Sequence, residues 1–260
     1  VKDDVLKGHL RAVNAASVAQ STGIMLSASA DETVRLWKPK TFPERLPQRP
    51  TIAQSAVERD RLWTITWTPK YLVTRTDARK LVDGGIAMSD EHPTGVLDLY
   101  SIPTGEHVRA IPIERDERHA TSASGNLILI THRDGSVKCF RPDGAAPALE
   151  TKIHPFPIPE FHTCRQIIDH SEEHALLSWG GDLIFLSLKT GSILQRMRHP
   201  GNTCEAIFLT RPGNSLAAIS TCDDSCLRIW DLETGDVCQQ HRLQTPLISV
   251  ALSNDQKLLA

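Results

Sequence analysis

Five bulky side chains divide this chain at nearly regular intervals. Trp37, Tyr100, Phe140, Leu186 and Trp230 each close a short run of alternating residues, and successive members stand 63, 40, 46 and 44 residues apart. In three of these runs an aspartate, Asp31, Asp134 or Asp224, stands six residues before the large side chain. Alternation with a period of two is the mark of a strand, whose side chains point to opposite faces in turn. A unit of some 40 residues that recurs cannot cover its own apolar face and must stack on copies of itself. That requirement restricts the fold more than any bulk property of the chain.

The surroundings of each large residue repeat as well. Thr104-Gly105, Thr190-Gly191 and Thr234-Gly235 follow three of the runs, and glycine supplies the positive φ of a tight hairpin. A fourth strand of each unit then begins at His107, Ser192 and Asp236. Residues 24–28, 127–131, 175–179 and 215–220 read as the second strands, and 13–18, 164–168 and 203–209 as first strands. The second unit is the least regular. There 85–90 reads as the second strand and 96–100 as the third, with 62–67 preferred to 71–76 for the first. Residues 41–61 read as a long loop around a short strand. Residues 246–251 and 257–260 read as the opening strands of a sixth unit, and 1–7 as a fourth strand leading into Gly8-His9.

Two stretches carry a family signature. Gly8-His9 is followed by Ser27, Ser29, Asp31 and Trp37, and the stretch from Thr221 ends in the dipeptide Trp230-Asp231. Together they resemble the WD-repeat family. The resemblance implies an all-β β-propeller of four-stranded antiparallel blades. At least five blades would be complete or nearly so, with a truncated sixth, within a seven-bladed whole. The units are approximately 8–52, 62–113, 118–153, 162–198, 202–243 and 246–260, in one domain over 1–260.

His9, a serine, Asp31 and Trp37 contain the residue types of a catalytic triad. No nucleophile elbow of the form GxSxG surrounds Ser27 or Ser29. The resemblance implies instead a structural tetrad. Asp31 would fix the imidazole of His9, His9 would meet the serine, and the indole N–H of Trp37 would close the chain. Ser27 and Ser29 share a face at strand period, so both are candidates. Phe140 and Leu186 cannot donate such a bond, and their units would rest on packing.

Charge is balanced, with 29 Lys and Arg against 31 Asp and Glu. This disfavours a dedicated nucleic-acid binder, which shows a basic excess or stripe. Six cysteines form no CxxC, and the expectation is reduced thiols in an intracellular protein, cytoplasmic or nuclear. Cys222 and Cys226 flank one turn and read as buried small residues, since His199 and His241 do not stand at zinc spacing. No apolar run reaches about 18 residues, so no membrane insertion is expected. No cofactor, metal or catalytic site is expected. The function implied is a non-catalytic scaffold that binds other proteins or peptides on the face shared by the first-strand starts and the Asp turns; the alternatives are an RNA- or ribonucleoprotein-binding propeller and a propeller enzyme with its site in the channel. Arg11, Asn14, Trp63, Arg118, Arg133, Arg165, Glu205 and Asp223 are the candidate contacts there, with arginine and tryptophan favoured at interface hot spots.

Overall fold

The computed structural model describes residues 9–19, 24–29, 34–37, 61–77, 80–82, 85–87, 95–101, 106–114, 117–144, 146–154, 165–210, 215–246 and 250. The chain forms two compact units, Val1–Arg115 and Asp116–Ala260. All regular structure among the described residues is β.

In the first unit, β1 (Val13–Ala19), β2 (Ile24–Ser29) and β3 (Val34–Trp37) form an antiparallel sheet in chain order. A second sheet begins with β4 (Arg61–Trp67) and β5 (Tyr71–Asp77). A small hairpin of β6 (Lys80–Val82) and β7 (Gly85–Ala87) intervenes before β8 (Gly95–Ser101) and β9 (His107–Ile113). The order of the large sheet is β4-β5-β8-β9.

The expectation for residues 85–90 is therefore corrected: the second strand of this unit is β5. The reason is local. Thr68 accepts the Tyr71 N–H at 2.8 Å and donates its hydroxyl to the Tyr71 carbonyl at 2.9 Å, which closes a tight β4–β5 hairpin. Leu72 and Val73 are then buried between β4 and β8, as an interior strand requires. Gly85 belongs to the hairpin inserted after β5.

The second unit holds three four-stranded antiparallel sheets, each in chain order. The first is β10 (Arg118–Thr121), β11 (Ile128–Thr131), β12 (Ser136–Phe140) and β13 (Leu149–Lys152). The next is β14 (Gln166–Ile168), β15 (His174–Trp179), β16 (Asp182–Ser187) and β17 (Ile193–Arg198). The last is β18 (Thr203–Thr210), β19 (Leu216–Cys222), β20 (Cys226–Asp231) and β21 (Val237–Arg242). The expected strands of these sheets agree with the structure to within two residues wherever one was read. Strand β10 was not read from the sequence. The expected strands at 1–7 and 257–260, and all but Pro246 and Val250 of 246–251, lie outside the described residues.

The three sheets stack face to face, with β10 beside β14 and β14 beside β18. Leu129, Val137 and Cys139 of one sheet meet Leu177, Trp179 and Leu186 of the next. Leu176, Leu183 and Phe185 on the opposite face meet Ala206, Ala218 and Trp230. A sheet covered on both faces reads as continuous apolar sequence rather than alternation. This is why Leu183–Leu186 is buried throughout, while every residue of β21, an edge strand, is exposed.

Polar contacts between neighbouring sheets fix their stagger. Thr151 donates to the carbonyl of Gly191 at 3.0 Å, and Gln195 to that of Glu233 at 2.7 Å. Arg196 reaches both Asp182, at 2.8 Å, and the Ile153 carbonyl, at 2.7 Å. Glu172 accepts hydrogen bonds from Ser124 and Asn126 across two turns. Gly191 and Gly235 have φ of 73° and 80°, as the Thr-Gly turns require.

Gly135 is a tight turn position that backbone atoms crowd. Its φ is 87°, and a Cβ there would lie 2.4 Å from the backbone oxygen of His154. Gly135→Ala is expected to destabilise the protein by about 2 kcal/mol through left-handed strain and this clash. Urea denaturation checks it, and an unchanged midpoint would show that the turn relaxes freely.

Candidate functional site

Ser27 lies at the centre of one hydrogen-bond chain. Its Oγ stands 2.7 Å from Nε2 of His9 and accepts the indole N–H of Trp37 at 2.6 Å. A hydroxyl has one proton to give. With the indole donating in, that proton is available to the imidazole. Ser29 turns away and donates to the Arg11 carbonyl at 3.1 Å. The structure thus selects between the two serines that share a face. Asp31 lies outside the described residues.

A second chain of the same form was not read from the sequence. Ser220 Oγ is 2.8 Å from Nε2 of His199 and accepts the Trp230 indole N–H at 2.7 Å. Ser220, His199 and Trp230 are all buried, at 0%, 3% and 4% exposure. Burial, reinforced by the nearby Arg228 cation, pushes the His199 pKa down to about 4. The imidazole is therefore neutral near pH 7, as the hydroxyl-to-imidazole bond requires. Asp224, six residues before Trp230, holds Arg228 with both oxygens, at 3.2 and 2.5 Å, and its carboxyl is lowered to about 2 mainly by that contact. The overlooked signal was the serine–tryptophan spacing of ten residues, shared by Ser27–Trp37 and Ser220–Trp230.

The middle sheet of the second unit replaces the whole chain with hydrocarbon. The His199 N–H bonds to the Gly181 carbonyl as the Ile153 N–H does to that of Gly135. Ser220 pairs with Arg228, two residues before Trp230, as Leu177 pairs with Ile184, two residues before Leu186. Ile153, Leu177 and Leu186 thus occupy the places of His199, Ser220 and Trp230, and all three are in the core.

The expected contact residues fall into distinct groups. Asn14 and Trp63 occupy matching places. The ladder skips one residue between Val13 and Ala15, between Leu62 and Thr64, and between Thr203 and Glu205. Asn14, Trp63 and Cys204 are thus the extra residues of three equivalent β-bulges, a feature that bends a strand end. Glu205 accepts the Val250 N–H at 2.9 Å, and Asp223 accepts the backbone and side-chain N–H groups of Asn202 at 2.9 and 3.1 Å. Both carboxylates hold the fold. Arg11, Arg118 and Arg165 are exposed, and Arg133 is half-buried on the β11–β12 turn.

Arg118 and Arg165 share a register. Arg118 stands opposite Thr131 at the start of β10. Arg165, just before β14, donates its N–H to Ser178 Oγ at 2.8 Å and accepts the Ser178 N–H at 2.8 Å. Ser178 and Thr131 are each 1% exposed, so these backbones are anchored from below.

Cys222 and Cys226 are buried free thiols, and burial pushes Cys222 up to about 11. Among the described residues, no three His, Cys, Asp or Glu side chains are grouped to hold a metal ion. Among the same residues no helix is long and apolar enough to cross a membrane.

Residues 2–38 match the family model described as WD domain, G-beta repeat. The chain is also similar to the computationally designed Ika8 protein, known from a crystal structure. The two share 15% identity at a TM-score of 0.65, over 95% of this chain and 67% of that one. Residues 2–38 are thus similar to a WD repeat, and the resemblance to WD-repeat β-propellers is borne out by the match and the fold together. No curated protein matches the sequence. A structural likeness extends to 1450 solved chains, so the fold by itself selects no single activity.

Proposed function

We propose that this chain is a non-catalytic interaction platform, a WD-repeat scaffold or adaptor that assembles a multiprotein complex. WD repeats generally serve as protein–protein interaction scaffolds and are typically not enzymes. The observation that carries the reading is the occupation of Ser27. The one Ser–His set that sequence offered as chemistry is bonded to a tryptophan inside a WD repeat, where it ties a loop to two strands. The same arrangement at Ser220 is buried from solvent.

The binding edge in this reading is the one bearing the first-strand starts and the second-to-third-strand turns. Each unit has such an edge of its own, with Arg118, Arg133 and Arg165 on that of the second unit and Arg11, Asn14 and Trp63 on that of the first. Large side chains with directional donors are favoured at such interfaces. The buried free thiols of Cys139, Cys222 and Cys226 suit a reducing intracellular setting, cytoplasmic or nuclear.

Affinity capture from cell extract tests the proposal, with wild type compared with the Arg118→Glu, Arg133→Glu, Arg165→Glu triple variant. The expected outcome is a reproducible set of protein partners that the variant loses while its circular dichroism is unchanged. An unchanged set would move the binding edge elsewhere. Nucleic acid recovered in place of protein, with retention falling steeply as salt rises, would replace the platform with a nucleic-acid binder.

A further inference from the structure

A hydroxyl residue stands directly before proline at two places in the sequence, Thr68-Pro69 and Thr245-Pro246. The fold treats the two threonines in opposite ways. Thr68 is 1% exposed, and its hydroxyl both donates to the Tyr71 carbonyl at 2.9 Å and accepts the Tyr71 N–H at 2.8 Å. Reaching that oxygen means opening the β4–β5 hairpin. Gln244, Thr245 and Pro246 are all exposed, beyond the end of β21 and outside its sheet.

The connection that carries Thr245 is held on both sides. Leu243 donates its N–H to the Ser225 carbonyl at 2.8 Å, and the Val250 N–H is taken by Glu205 at 2.9 Å. Thr245 stands between these anchors, so a change to its side chain leaves both in place. Pro246 also shapes its predecessor. A residue before proline is kept out of the helical region and biased to extended backbone, the form in which a chain threads an enzyme cleft. The ring and the missing N–H give an enzyme a feature to read that follows no other exposed threonine. The charged side chain nearest in sequence is Arg242, exposed at the end of β21, so an added phosphate has a cation for its neighbour along the chain.

We propose that Thr245 is a phosphorylation site, modified by a serine/threonine kinase of the proline-directed class. This stands apart from the platform reading and does not rest on it. Thr245 Oγ1 attacks the γ-phosphorus of ATP. The Oγ1–P bond forms, the bond from that phosphorus to the bridging oxygen of ADP breaks, and the hydroxyl proton leaves to the base of the kinase. The product carries about −1.5 to −2 charges at pH 7 where a neutral hydroxyl stood.

The test incubates the folded chain with ATP and a purified proline-directed kinase, and mass spectrometry maps and quantifies each phosphorylated residue. Synthetic peptides of residues 62–74 and 239–252 run beside it and set the intrinsic rate of each sequence. Thr245 of the folded chain is expected to be phosphorylated. Its rate relative to its own peptide should exceed that of Thr68 by at least about tenfold, because Thr68 is reached only when its hairpin opens. Pro246→Ala, made in the chain and in the peptide alike, should remove nearly all transfer to Thr245, and Thr245→Ala should remove the phosphate from that segment. A peptide of 239–252 that is phosphorylated while Thr245 of the folded chain is not overturns the proposal, as does failure of both. Comparable labelling of Thr68 in the folded chain also overturns it, since the kinase would then be acting on opened protein. Undiminished transfer in Pro246→Ala does the same, since the proline would then not be read.

Discussion

Ser220→Ala is expected to destabilise the protein by about 3 kcal/mol. The hydroxyl serves two buried partners at once, the Trp230 indole at 2.7 Å and the His199 imidazole at 2.8 Å. Its removal leaves both without that bond in a site closed to water, and each orphaned buried group costs about 1–3 kcal/mol. Ser27→Ala should cost less, about 1 kcal/mol, because His9 and Trp37 are only half-buried and water can replace the hydroxyl. Urea denaturation followed by tryptophan fluorescence reads both. A Ser220→Ala loss below about 0.5 kcal/mol, or one smaller than that of Ser27→Ala, would mean that the chain fills space without bonding strength.

Acid should unfold the protein partly through His199. Above about pH 6.5 the imidazole is neutral in folded and unfolded chains alike, and stability does not respond to it. Below that pH the unfolded chain takes up a proton that the folded site resists until about pH 4. Stability therefore falls as pH is lowered through this window, by about 3 kcal/mol in all. His199→Gln removes the titration and keeps a polar head. Denaturation curves from pH 7 to 4.5 should have a steeper pH slope in the wild type than in this variant. Asp134 and Glu172, whose carboxyls lie below their usual range, contribute acid sensitivity to both proteins and cancel in the comparison. Parallel slopes would show that His199 is protonated as easily in the folded state as in the unfolded one.

Much of the fold was legible because strands write their period into the sequence. The large residues closing β3, β8, β12, β16 and β20 are spaced by the size of a unit, and the Thr-Gly turns mark where fourth strands begin. What failed was non-local or locally disguised. Residues 85–90 carry glycine and an apolar pair, which look like a strand after a turn, yet Gly85–Ala87 pair within an inserted hairpin and 88–90 lie outside the described residues. The His199 chain escaped because its histidine precedes the serine by 21 residues, against 18 for His9, and is followed by proline rather than preceded by glycine. Leu186 in place of a tryptophan was legible, but the substitution of Ile153 and Leu177 was not, because aliphatic residues in a strand announce burial and nothing about what they replace. Of the candidate contacts, Glu205 and Asp223 also accept backbone N–H groups within the chain, a role that an acid in a sequence does not announce.

The exchange between a hydrogen-bonded trio and an aliphatic one has a consequence for how such a chain can change over time. His199, Ser220 and Trp230 are mutually satisfied, and so are Ile153, Leu177 and Leu186, but mixtures are not. A serine among leucines buries a lone hydroxyl, and a leucine between histidine and tryptophan strands two polar groups. Each mixed intermediate costs about 1–3 kcal/mol per orphan, a large share of a domain's marginal stability of about 5–15 kcal/mol. Three positions distant in sequence therefore behave as a single heritable character with two permitted states. A repeat that has crossed from one state to the other has little route back by single steps, so neighbouring repeats can keep one backbone while their interiors diverge for good.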